Sequence, residues 1–121
     1  MIGNQALGAG GKDVPGRDGG RPLGASDVGE RLGERATLVQ FSSAFCQPCR
    51  ATRRVLADVA ALVPGVAHVE IDAEARLDLV RELRVVKTPT VLVLDAAGHE
   101  VRRAAGQPRK ADVIAALGEA V

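Results

Sequence analysis

Residues Ala36 to Phe41 (ATLVQF) form an almost unbroken apolar run, the pattern of a short strand buried on both faces. Shortly after it, Val55, Leu56, Val59, Leu62 and Val63 recur at spacings of three and four. That spacing predicts a helix with one stripe on a core, and Arg50, Arg53, Arg54 and Asp58 take its other side. Pro48 fits the first turn, where a missing N–H costs nothing, and Pro64-Gly65 ends the helix. A buried strand feeding such a helix must fold the helix back over its own sheet, which points to an α/β architecture.

The rest of the chain extends this alternation. A short helix is expected over 26–32, a second strand over 66–71, a helix over about 74–84 and a third strand over 90–94. Asp95 to Gly98 reads as a turn, and 99–104 returns as an edge strand in a hairpin. Pro108 to Val121 gives a last helix, with Val113, Ile114 and Leu117 on its stripe. Strand–helix–strand order implies a right-handed crossover and parallel pairing, and the late hairpin an antiparallel edge. The expected fold is a mixed central sheet, parallel plus a C-terminal antiparallel hairpin, flanked by helices on both faces.

Ten of the 14 glycines lie in residues 1–33. The first 24 residues carry too few large apolar side chains to offset chain entropy and read as a flexible arm. The folded domain is expected over 25–121. With 16 Lys+Arg against 15 Asp+Glu the net charge is +1, which argues against nucleic-acid or anionic-membrane partners. The two phenylalanines, Phe41 and Phe45, offer no stacking platform for bases. No apolar run approaches the ~20 residues of a membrane span, and no signal peptide is visible. Cytoplasm and a monomer are the expectations, with a membrane-tethered, extracytoplasmic protein the alternative if the arm is what remains of a tether.

Cys46-Gln47-Pro48-Cys49 is the one reactive constellation at a meaningful spacing. It falls at a helix N-terminus, where free N–H groups and the helix dipole favour an anion. That field is worth about 0.3–1 kcal/mol when exposed and at most about 2 when partly buried. One pKa unit is about 1.4 kcal/mol, so the helix end lowers a thiol pKa by roughly a unit. Cys46 lies at the open end and is expected to attack; Cys49 lies one turn in and is expected to resolve the mixed disulfide. Two other readings stand beside this one. A disulfide across so tight a ring is a weak staple, contributing about 2 kcal/mol in the loop-entropy model. Structural zinc needs four ligands, and His68 and His99 lack the spacing of a ligand pair.

Leu38 to Arg50, with its Cys46-x-x-Cys49, resembles the active-site strand, loop and helix of the thioredoxin family. Thr88-Pro89-Thr90 resembles that family's cis-proline loop, and Gly106 sits where the family has a glycine near the active site. The resemblance covers about residues 26–121. It implies a thioredoxin-like fold and a protein thiol–disulfide oxidoreductase, most simply a disulfide reductase. It implies Cys46 as nucleophile, Cys49 as resolving thiol, and no cofactor beyond the dithiol. Protein disulfides would be the substrates, and a reductase or membrane donor would supply electrons. Pro89 would be cis and pack against the cysteines, and the backbone at Thr88 would pair with a substrate strand. The rival class is a non-catalytic adaptor whose cysteine pair responds to redox state or binds metal.

This chain departs from the family at several positions. Phe45 replaces the usual Trp, and Gln47-Pro48 the usual Gly-Pro. Gln40 occupies the place of a buried Asp, and His68 that of a lysine that often accompanies it. A Gln cannot titrate, so a slower general reductant, or one tuned to a dedicated partner, is expected. His68 reads first as an ordinary strand-face residue and His99 as a solvated one. The arginines of the active-site helix read as a solvated face, or as a field favouring acidic partners. Phe45 reads as a loop anchor or a docking point.

Overall fold

The computed structural model describes residues 10–15 and 20–121. The elements are β1 (Gly10–Pro15), α1 (Ala25–Val28), β2 (Ala36–Ser42), α2 (Gln47–Leu62), β3 (Val66–Asp72), α3 (Leu77–Leu83), β4 (Thr90–Asp95), β5 (Glu100–Gln107) and α4 (Lys110–Ala120). They build one five-stranded sheet in the order β1-β5-β4-β2-β3.

The direction of each strand follows from the length of the helix before it. Sixteen-residue α2 runs about 24 Å at 1.5 Å per residue, the full length of a seven-residue strand. It returns the chain to the starting edge, and β3 pairs parallel with β2. Seven-residue α3 runs only about 10 Å. The chain re-enters from the far end, so β4 lies antiparallel to β2. Parallel pairing implied by the alternation therefore applies to β2–β3 alone. The hairpin β4–β5 is antiparallel, as expected.

Alternation along the central strands splits the core. Leu38, Val91 and Val93 pack with Leu56 and Val59 of α2 and with Val113, Ala116 and Leu117 of α4. Val39, Phe41, Leu92 and Leu94 face the opposite way, against Leu79 and Leu83 of α3 and Val28 of α1. Helices thus cover both faces. The helical stripes are narrower than the sequence pattern: Leu62 and Ile114 are exposed.

The N-terminal expectation needs correction. Gly10–Pro15, read as part of a flexible arm, pairs antiparallel with β5 from Gly10↔Gln107 to Pro15↔Arg102. β5 is therefore an inner strand rather than the edge. Pairing uses backbone groups, which a glycine-rich segment supplies without apolar side chains. Leu23 is also core, 3% exposed, and its N–H donates to the Gly98 carbonyl at 3.0 Å. Positions 1–9 and 16–19 of the expected arm lie outside the described residues.

Candidate active site

Strand β2 delivers the chain to the end of the sheet where α2 begins. Cys46 is the N-cap of α2, in extended conformation, and its Sγ accepts the Cys49 N–H at 3.2 Å. The sulfur thus occupies the place of a capping hydroxyl. Pro48 lies in the first turn and gives up no helical hydrogen bond. Cys46 and Cys49 are joined as a disulfide with a Cα–Cα distance of 5.1 Å. Cys46 is half-buried, whereas Cys49 is 1% exposed. Gln47 and Pro48 between them face solvent.

Phe45, immediately before, has φ 57° and is 99% exposed. A bulky residue in the left-handed region is uncommon and costs about 1–3 kcal/mol. Here it turns the ring outward beside Cys46. The Thr88–Pro89 peptide is cis. The Pro89 carbonyl accepts the Gly106 N–H at 2.8 Å, with Gly106 at φ 112°, a conformation open to glycine. That bond ties the end of β5 to the proline loop.

Beneath the first turn of α2 lies a buried polar network. Gln40, fully buried, donates from Nε2 to the Cys49 carbonyl at 2.8 Å and to Ser42 Oγ at 2.9 Å. Its Oε1 lies 3.1 Å from His68 Nε2. Every polar group of the amide is satisfied, as burial requires. Burial pushes His68 below the ordinary imidazole value; Glu70 opposes the shift and Arg53 reinforces it. The imidazole is therefore neutral at neutral pH, with Nε2–H donating to Gln40. Arg53 holds Glu70 in a bidentate pair at 2.6 and 2.7 Å, which, with a Ser42 hydroxyl bond, keeps the Glu70 carboxyl below its usual range.

The residues singled out from the sequence thus converge: Cys46, Cys49, Gln40, Gln47, Pro48 and Phe45 surround the end of β2, while Thr88, Pro89 and Gly106 meet across the neighbouring loop. His99 stands apart, beside Asp95 at the hairpin turn. Three contacts escaped the sequence reading, the first being the Arg53–Glu70 pair, since the arginines of α2 read as a solvated face. His68 reaches Gln40 rather than acting as a plain strand-face residue. Ser43 Oγ meets Thr88 Oγ1 at 2.7 Å, joining the loop before the cysteines to the proline loop. The only sequence signal for it is a pair of small hydroxyl residues, Ser42-Ser43, at the strand end. Among the described residues no group of three or more His, Cys, Asp or Glu is placed to hold a metal ion.

A family model described as Thioredoxin matches residues 26–119. The chain belongs to the thioredoxin family. It is 31% identical to a thioredoxin of Mycolicibacterium smegmatis over 90 residues, which cover 72% of this chain and 80% of that protein. It is 30% identical to the bifunctional thioredoxin reductase/thioredoxin of Mycobacterium leprae (strain TN) over 88 residues, 72% of this chain and 19% of that protein. The solved structure of thioredoxin NaTrxh from Nicotiana alata superposes with a TM-score of 0.63 at 28% identity, covering 72% of this chain and 74% of that one. With the Cys46–Cys49 pair at disulfide distance, this thioredoxin family member is a thiol–disulfide oxidoreductase of the protein-disulfide reductase type. No helix among the described residues is long and apolar enough to cross a membrane.

Proposed function

We propose that Cys46 is the attacking thiol and Cys49 the resolving one. The observation that carries this is their unequal burial at one helix end: Cys46 is reachable and sits on an N–H donor, whereas Cys49 is enclosed. The Cys46 thiolate attacks one sulfur of a protein disulfide and expels the other as a thiolate. Cys49 then attacks Cys46 Sγ, closing the internal disulfide and releasing the second substrate sulfur. The substrate gains two electrons and the two protons of the dithiol. A reductase restores the dithiol, and the fusion of reductase and thioredoxin in the M. leprae relative supports a thioredoxin reductase in that role. A cytoplasmic monomer fits this cycle.

Thr88 and Pro89 are assigned to substrate backbone pairing, with Gly106 closing the loop and Phe45 as an apolar docking point. Gln40, Gln47 and Pro48 tune the pair. Gln40 fixes the Cys49 carbonyl but cannot exchange a proton with the Cys49 thiol, so resolution depends on another acceptor. The test is insulin disulfide reduction driven by dithiothreitol. Cys46→Ser abolishes the protein's acceleration, and Cys49→Ser accumulates mixed disulfides with substrate. Equal rates for wild type and Cys46→Ser overturn the assignment.

A further inference from the structure

The first two turns of α2 carry Arg50, Arg53 and Arg54, and the first turn has no acidic residue. Cations there oppose the helix dipole, so the helix itself gains nothing from them. Arg53 is neutralised by Glu70. Among the described residues the Arg50 side chain hydrogen-bonds only the neutral Gln47, at 3.4 Å, and neither Arg50 nor Arg54 forms an ion pair with a carboxylate. The nearby Arg109 and Asp112 at the start of α4 pair with each other at 3.0 Å. Arg50 and Arg54, one turn apart, line a cleft of about 510 Å³ with Gln47, Pro48, Ala51 and Gln107. Gln47 and Pro48 are the residues between the cysteines, so this cleft adjoins the Cys46-x-x-Cys49 segment. The Ser43 and Thr88 side has a different character, a smaller hollow whose apolar lining (Leu77, Val80, Val85, Val86) carries one charge of each sign, Glu74 and Lys87.

Resting on the thiol-exchange roles proposed above, we propose that this cleft docks an acidic segment of the substrate protein next to its disulfide. Two guanidiniums that make no direct ion pair, with Asp58 one turn beyond Arg54 outside the cleft lining, complement carboxylates, which also match the positive end of α2. Glutamine amides on either side supply neutral hydrogen bonds that fix a backbone. The preference acts mainly on the encounter rate and is screened by salt.

The test uses the reduced full-length protein and two peptides with the same disulfide ring, one flanked by glutamates and one by lysines. Single-turnover reduction is quenched with acid and quantified by chromatography. In each exchange the protein dithiol is oxidised and the peptide disulfide reduced by two electrons. The readout is the acidic-to-basic rate ratio, in which any change in Cys46 reactivity cancels. Wild type gives a ratio of about ten or more at low ionic strength, falling toward one near about 1 M salt. Arg50→Glu/Arg54→Glu inverts the ratio, and Arg50→Lys/Arg54→Lys keeps it above one. A wild-type ratio near one, or one that survives charge reversal, overturns the docking site. Hydroxyethyl disulfide, small and neutral, is reduced in parallel: if the protein fails to reduce it, the thiol-exchange roles fall and the docking site with them.

Discussion

Replacing Gln40 with leucine removes the centre of the polar network while keeping a side chain of similar size. Three hydrogen bonds disappear: to the Cys49 carbonyl at 2.8 Å, to Ser42 Oγ at 2.9 Å and with His68 Nε2 at 3.1 Å. At about 0.5–1.5 kcal/mol each, these bonds contribute roughly 3 kcal/mol. Partners left dry at a fully buried site add about 1 kcal/mol, because Ser42 retains Glu70 and His68 is half-open to water. Burying a leucine instead of an amide offsets about 1–2 kcal/mol. Gln40→Leu is therefore expected to cost about 2 kcal/mol, a drop of about 1 M or more in the urea midpoint. The chain has no tryptophan, so unfolding of the oxidised protein is followed by far-UV circular dichroism. A His68→Leu companion completes a double-mutant cycle, whose coupling isolates the His68–Gln40 bond. A midpoint for Gln40→Leu equal to or above wild type would refute the idea that this amide holds the first turn of α2 in place.

His68 is expected to titrate below 6.5, because burial disfavours its charged form. The unfolded chain then binds the proton first, so stability present above about 6.5 is lost as pH falls toward the folded value; ring NMR gives the midpoint, and one at or above 6.5 contradicts the burial account. Leu23→Ala removes a side chain 3% exposed in the core of the α1–α3 face and should cost about 2–4 kcal/mol. A cost below about 0.5 kcal/mol by urea titration would restore the flexible-arm reading of this segment. Gly98→Ala meets two obstacles, a φ of 91° and a Cβ driven into the Leu23 carbonyl oxygen. It should cost more than about 2 kcal/mol, read as a fall in melting temperature of several degrees.

The position of the elements rested on local periodicity and was legible in the sequence, although the width of the helical stripes was not: Leu62 and Ile114 are exposed. The apolar run of β2, the stripe of α2 and Pro48 between the cysteines are short-range signals, and together they put Cys46 at a helix end and Cys49 inside it. Those same signals could not give strand direction, because direction depends on whether a helix is long enough to cross the sheet, and α3 is not. Nor could they show β1, which lies in a glycine-rich segment and joins the sheet through backbone groups. The Gln40–His68 contact needed a third kind of information, the parallel register of β2 and β3. Gln40 stands opposite Glu70 and His68 opposite Leu38, so the two side chains share the α2 face on a diagonal. A slip of one residue would turn His68 and Glu70 to the other face. It would leave Gln40 without its partner and Arg53 without its carboxylate. The register is fixed by Val69 and Ile71, which must stay on the opposite face with Val39 and Phe41. The apolar face of β3 thus positions the polar one, and through Gln40 it reaches the carbonyl of the enclosed cysteine.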